Sequence, residues 1–167
     1  MLVRTERDSD RGAVFALNAA AFETDAEARL VVRLRADVAP LVSLVADDGG
    51  EVVGHILFSP VTLDGANASR AIGLAPMAVV PGRQRSGIGS GLVRAGLEAC
   101  RELGVTWVVV LGHPEYYPRF GFVPASRFGL TCEYDVPDEV FMAQELVEGS
   151  LAECEGCVRY HPAFAEV

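Results

Sequence analysis

The loop Gln84-Arg85-Ser86-Gly87-Ile88-Gly89 combines residue types that can hold a phosphate group. It follows an apolar stretch, residues 72–80, and opens a helical pattern that begins at Ile88. A glycine-bearing loop between a strand and a helix directs backbone N–H groups at an anion, and its glycines let a ligand approach closely. Arg83 and Arg85 add positive charge beside it. The pattern therefore predicts a phosphate-binding loop.

Two common phosphate-binding motifs do not fit this loop. A Walker A loop requires a lysine, and all 14 basic residues of the chain are arginines, which also excludes a Schiff-base or general-base lysine. A dinucleotide fingerprint requires G-x-G-x-x-G, whereas Gly87, Gly89 and Gly91 form G-x-G-x-G. No acidic residue closes the following apolar run, residues 105–111. A dinucleotide-binding module is therefore the weaker interpretation.

A second element favours another ligand. Gln84-x-x-Gly87-x-Gly89 resembles the acetyl-CoA-binding motif of the GNAT N-acetyltransferases, and Tyr117-Pro118-Arg119-Phe120-Gly121-Phe122 resembles the family's Y-x-x-x-G-F element. Residues 112–117 and 156–164 are most similar to the YhbS-like subgroup of that family. A glycine-rich turn that served only the backbone would not account for the Tyr117 element.

The resemblance implies acetyl-CoA as co-substrate and no metal. In the family, acetyl-CoA lies in a V-shaped gap between two parallel strands, which here would end at Val80 and at Leu111. Backbone groups of Ala78, Val79 and Val80 would pair with the peptide-like pantetheine arm. The pyrophosphate would be held by the loop residues Gln84, Arg85, Ser86, Gly87, Ile88, Gly89 and Ser90.

The resemblance also implies a catalytic role for Tyr117, beside the thioester. A phenol has a reference pKa near ~10, so it is protonated at neutral pH and can act as general acid to the CoA thiolate. Tyr116 is one residue off the motif and is interpreted as a packing residue. A primary amine of a small molecule or a protein would attack the thioester directly, since no cysteine is placed as an obvious covalent nucleophile.

The attacking amine must be neutral, and a general base would help to keep it so. General acid–base catalysis typically accelerates a reaction about 10²–10⁴-fold. Residues 71–82 contain no ionisable side chain. His113 and Glu115 follow the apolar run 105–111 and are the best-placed candidates, while water, or an amine that arrives neutral, is the open alternative. Three weaker candidates are Glu23, Glu27, which has a predicted capping role, and His55, which alternates with apolar residues and is interpreted as a core histidine.

The elements that must position these residues follow from periodicity and turn signals. Strands are predicted at 3–7, 41–46, 52–63, 71–80 and 105–111 and from 122 onward, with further candidates at 130–134, 141–146 and 158–160. The almost wholly apolar run 105–111 predicts a strand buried on both faces. Helices are predicted at 13–21 and 88–103. Another helix is predicted to begin with a capping box, Thr24-x-x-Glu27, and to end at residue 35. A short helix or turn is predicted at 115–120. The last long helix is expected to end at Gly104. It is expected to bury one face, made of Ile88, Leu92, Ala95, Ala99 and Leu103.

This order, β-α-α-β-β-β-α-β-α-β-β, predicts a mixed α/β sheet with helices on its faces. It agrees with the acyl-CoA N-acyltransferase fold of the GNAT family, in which a central pair of parallel strands is splayed. Asp48-Gly49-Gly50 predicts a hairpin, and residues 64–67 predict a turn. Pro76 cannot donate to a sheet ladder, so it marks either the place where the strands part or a plain edge strand.

Composition limits the remaining possibilities. A chain of 167 residues, 50% of them hydrophobic, suits a single domain over residues 1–167. No apolar run approaches the ~20 residues of a membrane span, and the first residues lack a signal-peptide core, so a cytoplasmic protein without a membrane partner is expected. The net charge of −9 makes nucleic acid a poor partner. The acidic stretch 131–167 is interpreted as a solubilising surface, with a cationic substrate as the alternative.

Several assignments stay open at this level. Cys154-x-x-Cys157 has no second pair with which to bind zinc, and reduced thiols are the favoured interpretation. The acceptor pocket would involve the first helices and residues 125–160, where five side chains could line it or pack in the core: Phe22, Phe128, Phe141, Met142 and Tyr160. A CoA-binding sensor or interaction protein of the same fold is the main alternative to an enzyme. The oligomeric state, monomer or homodimer, does not follow from the sequence.

Overall fold

The computed structural model of the chain describes residues 1–65 and 70–167 with their side chains. The predicted helices and strands are present, and the segment predicted as a short helix or turn is a 3-10 turn, Tyr117–Phe120. Of the turn predicted at 64–67, Ala66 and Asn67 lie outside the described residues. The elements in chain order are β1 Leu2–Thr5, α1 Arg11–Ala21, α2 Ala26–Asp37, β2 Val42–Asp48, β3 Glu51–Leu63, β4 Ala66–Val79, α3 Ile88–Leu103, β5 Trp107–Leu111, β6 Val123–Pro124, β7 Leu130–Cys132, β8 Phe141–Glu145 and β9 Gly156–Arg159.

The chain divides into two compact units. The first unit consists of Met1–Ser59, Ala75–Ala99 and Pro162–Val167, and the second of Pro60–Leu74 and Cys100–His161. The first unit therefore contains α1, α2, β1, β2 and most of α3, and the second contains β5 to β9. Within the described residues, no helix has both the length and the apolar character needed to cross a membrane.

The sheet of the first unit is an antiparallel arrangement of β1, β2 and β3. Gly49 and Gly50 join β2 to β3, with φ values of 63° and 98°. A two-residue hairpin loop of the type I′ class requires positive φ at both positions, which glycine adopts without strain. The predicted hairpin is confirmed.

Helix α3 packs against one face of β3. A Cβ atom on Gly96 would lie 2.2 Å from the Phe58 ring, so only a glycine lets the helix approach this closely. The apolar run of α3 is buried at Ile88, Leu92, Val93, Leu97 and Cys100.

The face predicted for α3 is wrong in its C-terminal half. Ala95 and Ala99 are only half-buried, and Leu103 is 46% exposed. The five predicted residues are separated by four, three, four and four positions, which is on average more than the 3.6 residues of a helical turn. The predicted stripe therefore rotates gradually away from the sheet along the helix. Gly104, with φ 88°, ends the helix as predicted.

The predicted capping box of α2 is also wrong. The helix begins at Ala26 with Asp25 as its N-cap, and Thr24 Oγ1 accepts a hydrogen bond from the Ala26 N–H at 3.2 Å. Glu27 is therefore the second helical residue. A capping box needs the acid at the third position, so Glu27 has no such capping role.

The second unit has a mixed sheet centred on β5. This strand is parallel to β4, from Ala71–Trp107 to Leu74–Val110, and antiparallel to β8. β6 extends the sheet beyond β8, while β9 pairs with both the end of β3 and β7. Trp107, Val108, Val109 and Val110 are at most 2% exposed, as the unbroken apolar run predicts. The predicted mixed α/β fold is confirmed.

Candidate active site

The predicted phosphate-binding loop lies in the first unit, between β4 and α3. Residues 81–87 are all exposed, and the backbone turns through positive φ at Arg85 (63°) and Gly87 (89°). The Gly91 N–H donates to the Gly87 C=O at 3.0 Å, which is the first hydrogen bond of the helix. The amides of the preceding turn, at residues 88–90, therefore stand at the positive end of the α3 dipole. This arrangement suits a phosphate group.

Three side chains hold the loop in shape. Gln84 Nε2 donates to the Val79 C=O at 3.3 Å, and Ser86 Oγ donates to the Arg83 C=O. Arg83 itself pairs with Asp48 at 2.6 Å, so its charge is already partly balanced. Arg85 forms no ion pair with any described residue. It is thus the loop cation best able to meet an anionic ligand.

The end of β4 supplies the backbone groups assigned to the pantetheine arm. Ala78 is buried and Val79 and Val80 are half-buried. The Val80 N–H donates to the Val53 C=O of β3 at 2.9 Å, so this donor does not pair with the pantetheine arm as predicted. Neighbouring residues of a strand direct their polar groups to opposite edges, so the N–H and C=O of Val79 point away from β3.

The ladder of β4 with β5 stops before β4 does. Its last described pair joins Leu74 to Val110, whereas β4 continues to Val79. Pro76, which cannot donate to a ladder, lies in the part of β4 for which no pair with β5 is described.

Tyr117 lies in the second unit, at the start of the 3-10 turn. It is 7% exposed, and its ring makes edge contacts with Tyr116 (centroids 5.1 Å apart) and Phe122 (5.8 Å). Burial, with a smaller effect of Tyr116, raises the pKa of Tyr117 to about 12. The phenol therefore keeps its proton at neutral pH. Its hydroxyl forms no hydrogen bond with any described residue.

The segment before Tyr117 is held by backbone hydrogen bonds. The His113 C=O accepts from the N–H groups of Tyr116 (3.1 Å) and Tyr117 (3.3 Å), and the Gly112 N–H donates to the Val140 C=O at 3.0 Å. The side chains of His113 and Glu115 are exposed. The structure thus gathers the three predicted catalytic residues into one short turn.

Tyr116 is a packing residue, as predicted. Its ring contacts Phe120 edge-on, with centroids 5.1 Å apart, in addition to Tyr117. The Arg119 guanidinium lies 4.7 Å from its centroid on the ring face. Tyr116 therefore supports the turn on which Tyr117 is carried.

His55 is the core histidine that the sequence predicts. It is fully buried, and its two ring nitrogens contact Asn18 Nδ2 (3.2 Å) and Ser43 Oγ (2.9 Å). Ser43 Oγ in turn donates to Glu6, which pairs with Arg35 at 2.6 Å. Burial, with a smaller effect of Arg35, lowers the pKa of His55 to about 3. A buried imidazole with both nitrogens engaged is poorly suited to act as a base for a substrate.

The remaining candidates divide by exposure. Glu23 is exposed and Glu27 half-buried. Of the predicted pocket residues, Phe141, Met142 and Tyr160 are buried, whereas Phe22 and Phe128 are half-buried. No three His, Cys, Asp or Glu residues of the described chain are grouped so that they could hold a metal ion.

Sequence reasoning missed one residue of the site, Gly112, which lies directly against the Tyr117 ring. Its only signal was a glycine at the end of the buried strand.

Comparison with known proteins gives consistent results. The family described as "Acetyltransferase (GNAT) domain" matches residues 3–125. The Escherichia coli K12 protein "Uncharacterized N-acetyltransferase YhbS" is 39% identical over 165 residues, or 98% of each chain. The crystal structure of E. coli YhbS in complex with CoA superimposes with a TM-score of 0.93 at 38% identity, covering 98% of this chain and 91% of that one. A Brucella melitensis GNAT acetyltransferase, solved with acetyl-CoA, has a TM-score of 0.81 at 35% identity, with coverages of 98% and 97%.

Proposed function

The chain belongs to the GNAT acetyltransferase family, and on that premise we propose that it transfers the acetyl group of acetyl-CoA to a primary amine of a small molecule or a protein. The observation that carries the proposal is the loop at residues 81–90. It places the first-turn amides of α3 directly after the exposed residues 81–87, which include the unpaired Arg85. Two similar proteins were solved with CoA and acetyl-CoA, which supports the same co-substrate here.

In this proposal the loop holds the pyrophosphate of CoA. The first-turn amides of α3 donate to the phosphate oxygens, and Arg85 adds a charge-assisted bond. Gln84 acts indirectly, because its side chain is bound to the Val79 C=O and fixes the loop. The Val79 N–H, on the edge of β4 that faces away from β3, pairs with the pantetheine arm.

Tyr117 assists the departure of CoA. The amine nitrogen attacks the thioester carbonyl carbon, the C–S bond breaks, and its electron pair stays on sulfur. The Tyr117 hydroxyl donates to that sulfur. Its pKa of about 12 lies above the ~8.5 of an ordinary thiol, so the phenol stabilises the sulfur first as a hydrogen-bond donor. The phenol passes its proton to the sulfur, so that CoA leaves as a thiol, and it regains a proton from solvent.

The proton of the amine is taken up by His113, Glu115 or water. Both side chains are exposed on the turn that carries Tyr117, so either can exchange protons with solvent. The chain has no lysine, and residues 71–82 contain no ionisable side chain. The base is therefore not supplied by the part of β4 from residue 71 onward or by residues 80–82. Direct attack, without a covalent enzyme intermediate, is the route proposed.

A thermal-shift experiment tests the co-substrate. Acetyl-CoA at about 100 times its Kd stabilises a protein by ~2.7 kcal/mol, which corresponds to roughly 5–10 °C in a chain of this size. NAD and ATP share the pyrophosphate but lack the pantetheine arm, so their shifts are expected to be smaller. No shift at millimolar acetyl-CoA would contradict the proposal.

A further inference from the structure

The aromatic ring of Tyr117 occupies the space where residue 112 would carry a side chain. A Cβ atom built on Gly112 would lie 2.2 Å from Tyr117 Cε2, 2.7 Å from Cδ2 and 3.3 Å from Cζ. Carbon atoms that are not bonded do not approach to the first two of these distances. Residue 112 can therefore have no side chain while the ring stays where it is.

Neither partner can move easily. The Gly112 backbone is fixed by its bond to the Val140 C=O at 3.0 Å. The ring is bounded by the edge contacts with Tyr116 and Phe122. Tightly packed neighbours accommodate an extra methyl group only by shifting. A methyl group at position 112 would therefore act on the orientation of the Tyr117 phenol.

The glycine is not required by its backbone conformation. Gly121, later in the same motif, has φ 101°, but Gly112 is not among the residues with positive φ. An alanine at 112 is thus compatible with the backbone, and its effect reports on the ring alone. This separates Gly112 from the glycines that are needed for turns.

We propose that Gly112 is a positioning residue of the acetyl transfer: it leaves the volume in which the Tyr117 ring is seated and so directs the phenol at the departing sulfur. The inference rests on the proposed function of Tyr117. A misplacement of a reacting group by about 1 Å can cost ~10²-fold in rate. The effect is expected in kcat, because the loop that holds the pyrophosphate is not touched.

The test compares Gly112→Ala, Tyr117→Phe, the double variant and Gly12→Ala. Gly12 lies on α1, where an added Cβ would meet no atom within 4 Å, so it is a matched control. CoA release is measured with acetyl-CoA and a panel of primary amines, and tyrosinate absorbance is titrated with pH. Gly112→Ala is expected to lower kcat by about 10²-fold with little change in the KM for acetyl-CoA, and to shift the Tyr117 pKa from about 12 towards ~10 as the ring leaves its buried seat.

The double variant separates positioning from a general loss of stability. If Gly112 acts through Tyr117, the double variant is no slower than the slower single variant. Multiplied losses, or a Gly112→Ala enzyme with the wild-type kcat and titration curve, would overturn the proposal. Should Gly112→Ala fail to fold, Gly112→Ala/Tyr117→Leu must restore a folded protein, because it removes the ring; if that variant is equally unfolded, the proposal is wrong.

Failure of the proposed function would look different. If the wild type releases no CoA with any amine, or Tyr117→Phe keeps the wild-type kcat, the catalytic role of Tyr117 is wrong. The tyrosinate titration would still show whether residue 112 seats the ring. A changed titration with an unchanged kcat would remove Gly112 from the reaction and leave it a packing residue.

Discussion

Replacing His55 with glutamine should remove an acid-sensitive contribution to stability. His55 is fully buried between Asn18 and Ser43, and its pKa is lowered to about 3. In the unfolded chain the imidazole titrates near ~6.5. Between these two values the unfolded state binds the extra proton, so stability is fully present above about pH 6.5 and is lost as the pH falls towards 3. Glutamine keeps polar atoms at this position but does not titrate.

The size of the effect follows from the two pKa values. One proton bound only by the unfolded state gives a slope that approaches ~1.4 kcal/mol per pH unit. Integrated from about pH 6 to about pH 4, this slope lowers the free energy of unfolding of the wild type by roughly 2.5 kcal/mol. That is a large part of the ~5–15 kcal/mol by which a domain is stable.

Urea denaturation at several pH values measures this directly. The free energy of unfolding of the wild type should fall more steeply than that of His55→Gln, so that the two curves converge in acid. Asp10, whose pKa is lowered to about 2 chiefly by its hydrogen bond from Arg4, acts in a lower window, from about pH 4 downward, and equally in both proteins. Parallel curves between about pH 6 and about pH 4 would refute the reasoning, because they would mean that the buried imidazole does not control the slope.

Three further substitutions have defined outcomes. Tyr117→Phe should lower kcat by about 10²-fold while the Kd for acetyl-CoA stays nearly constant; an equally weakened Kd, measured by calorimetry, would argue for a packing role. Arg85→Ala should weaken acetyl-CoA binding roughly 10- to 100-fold, whereas Arg83→Ala should weaken it less, because Arg83 is paired with Asp48. A larger rise in Kd for Arg83→Ala than for Arg85→Ala, measured by calorimetry, would reverse the assignment. Gly96→Ala should destabilise the protein by about 1–3 kcal/mol despite the higher helix propensity of alanine, because its Cβ would lie 2.2 Å from the Phe58 ring. A higher free energy of unfolding for this variant, measured by chemical denaturation, would exclude the close contact.

Much of the fold could be predicted from the sequence because it depends on local signals. The unbroken apolar run around Val108 predicted a strand buried on both faces, and Gly49-Gly50 predicted the hairpin. Gly104 marked the end of α3. In each case the information lies within a few residues, so periodicity and turn chemistry suffice.

The errors arise where competing local signals or distant contacts decide. Thr24 and Asp25 are both good caps, and the sequence alone does not decide which of the two is the N-cap. Leu103 fits an apolar stripe, but that stripe rotates off the buried face of α3 and leaves the side chain 46% exposed. Such choices are made by packing, which overrides propensity.

The candidate site shows the same division. The glycine loop and Tyr117 were found from motifs, because their chemistry requires those residue types at that spacing. The pairing of Arg83 with Asp48 joins residues that are distant in the chain, and the contact of Gly112 with Tyr117 depends on where a ring comes to rest. The ion pair has no signal in the sequence, and the Gly112 contact has only a glycine at the end of the apolar run 105–111. They became visible only once the backbone positions were known.

The central claim is that the chain moves an acetyl group from acetyl-CoA to an amine. The most direct test is a panel of primary amines, from polyamines to peptides with a free N-terminus, incubated with the protein and acetyl-CoA. Thiol release and product mass are recorded together. The account predicts release of CoA matched by an equal amount of N-acetylated amine. Tight binding of acetyl-CoA without acetylation of any amine would contradict it and would favour a CoA-binding sensor.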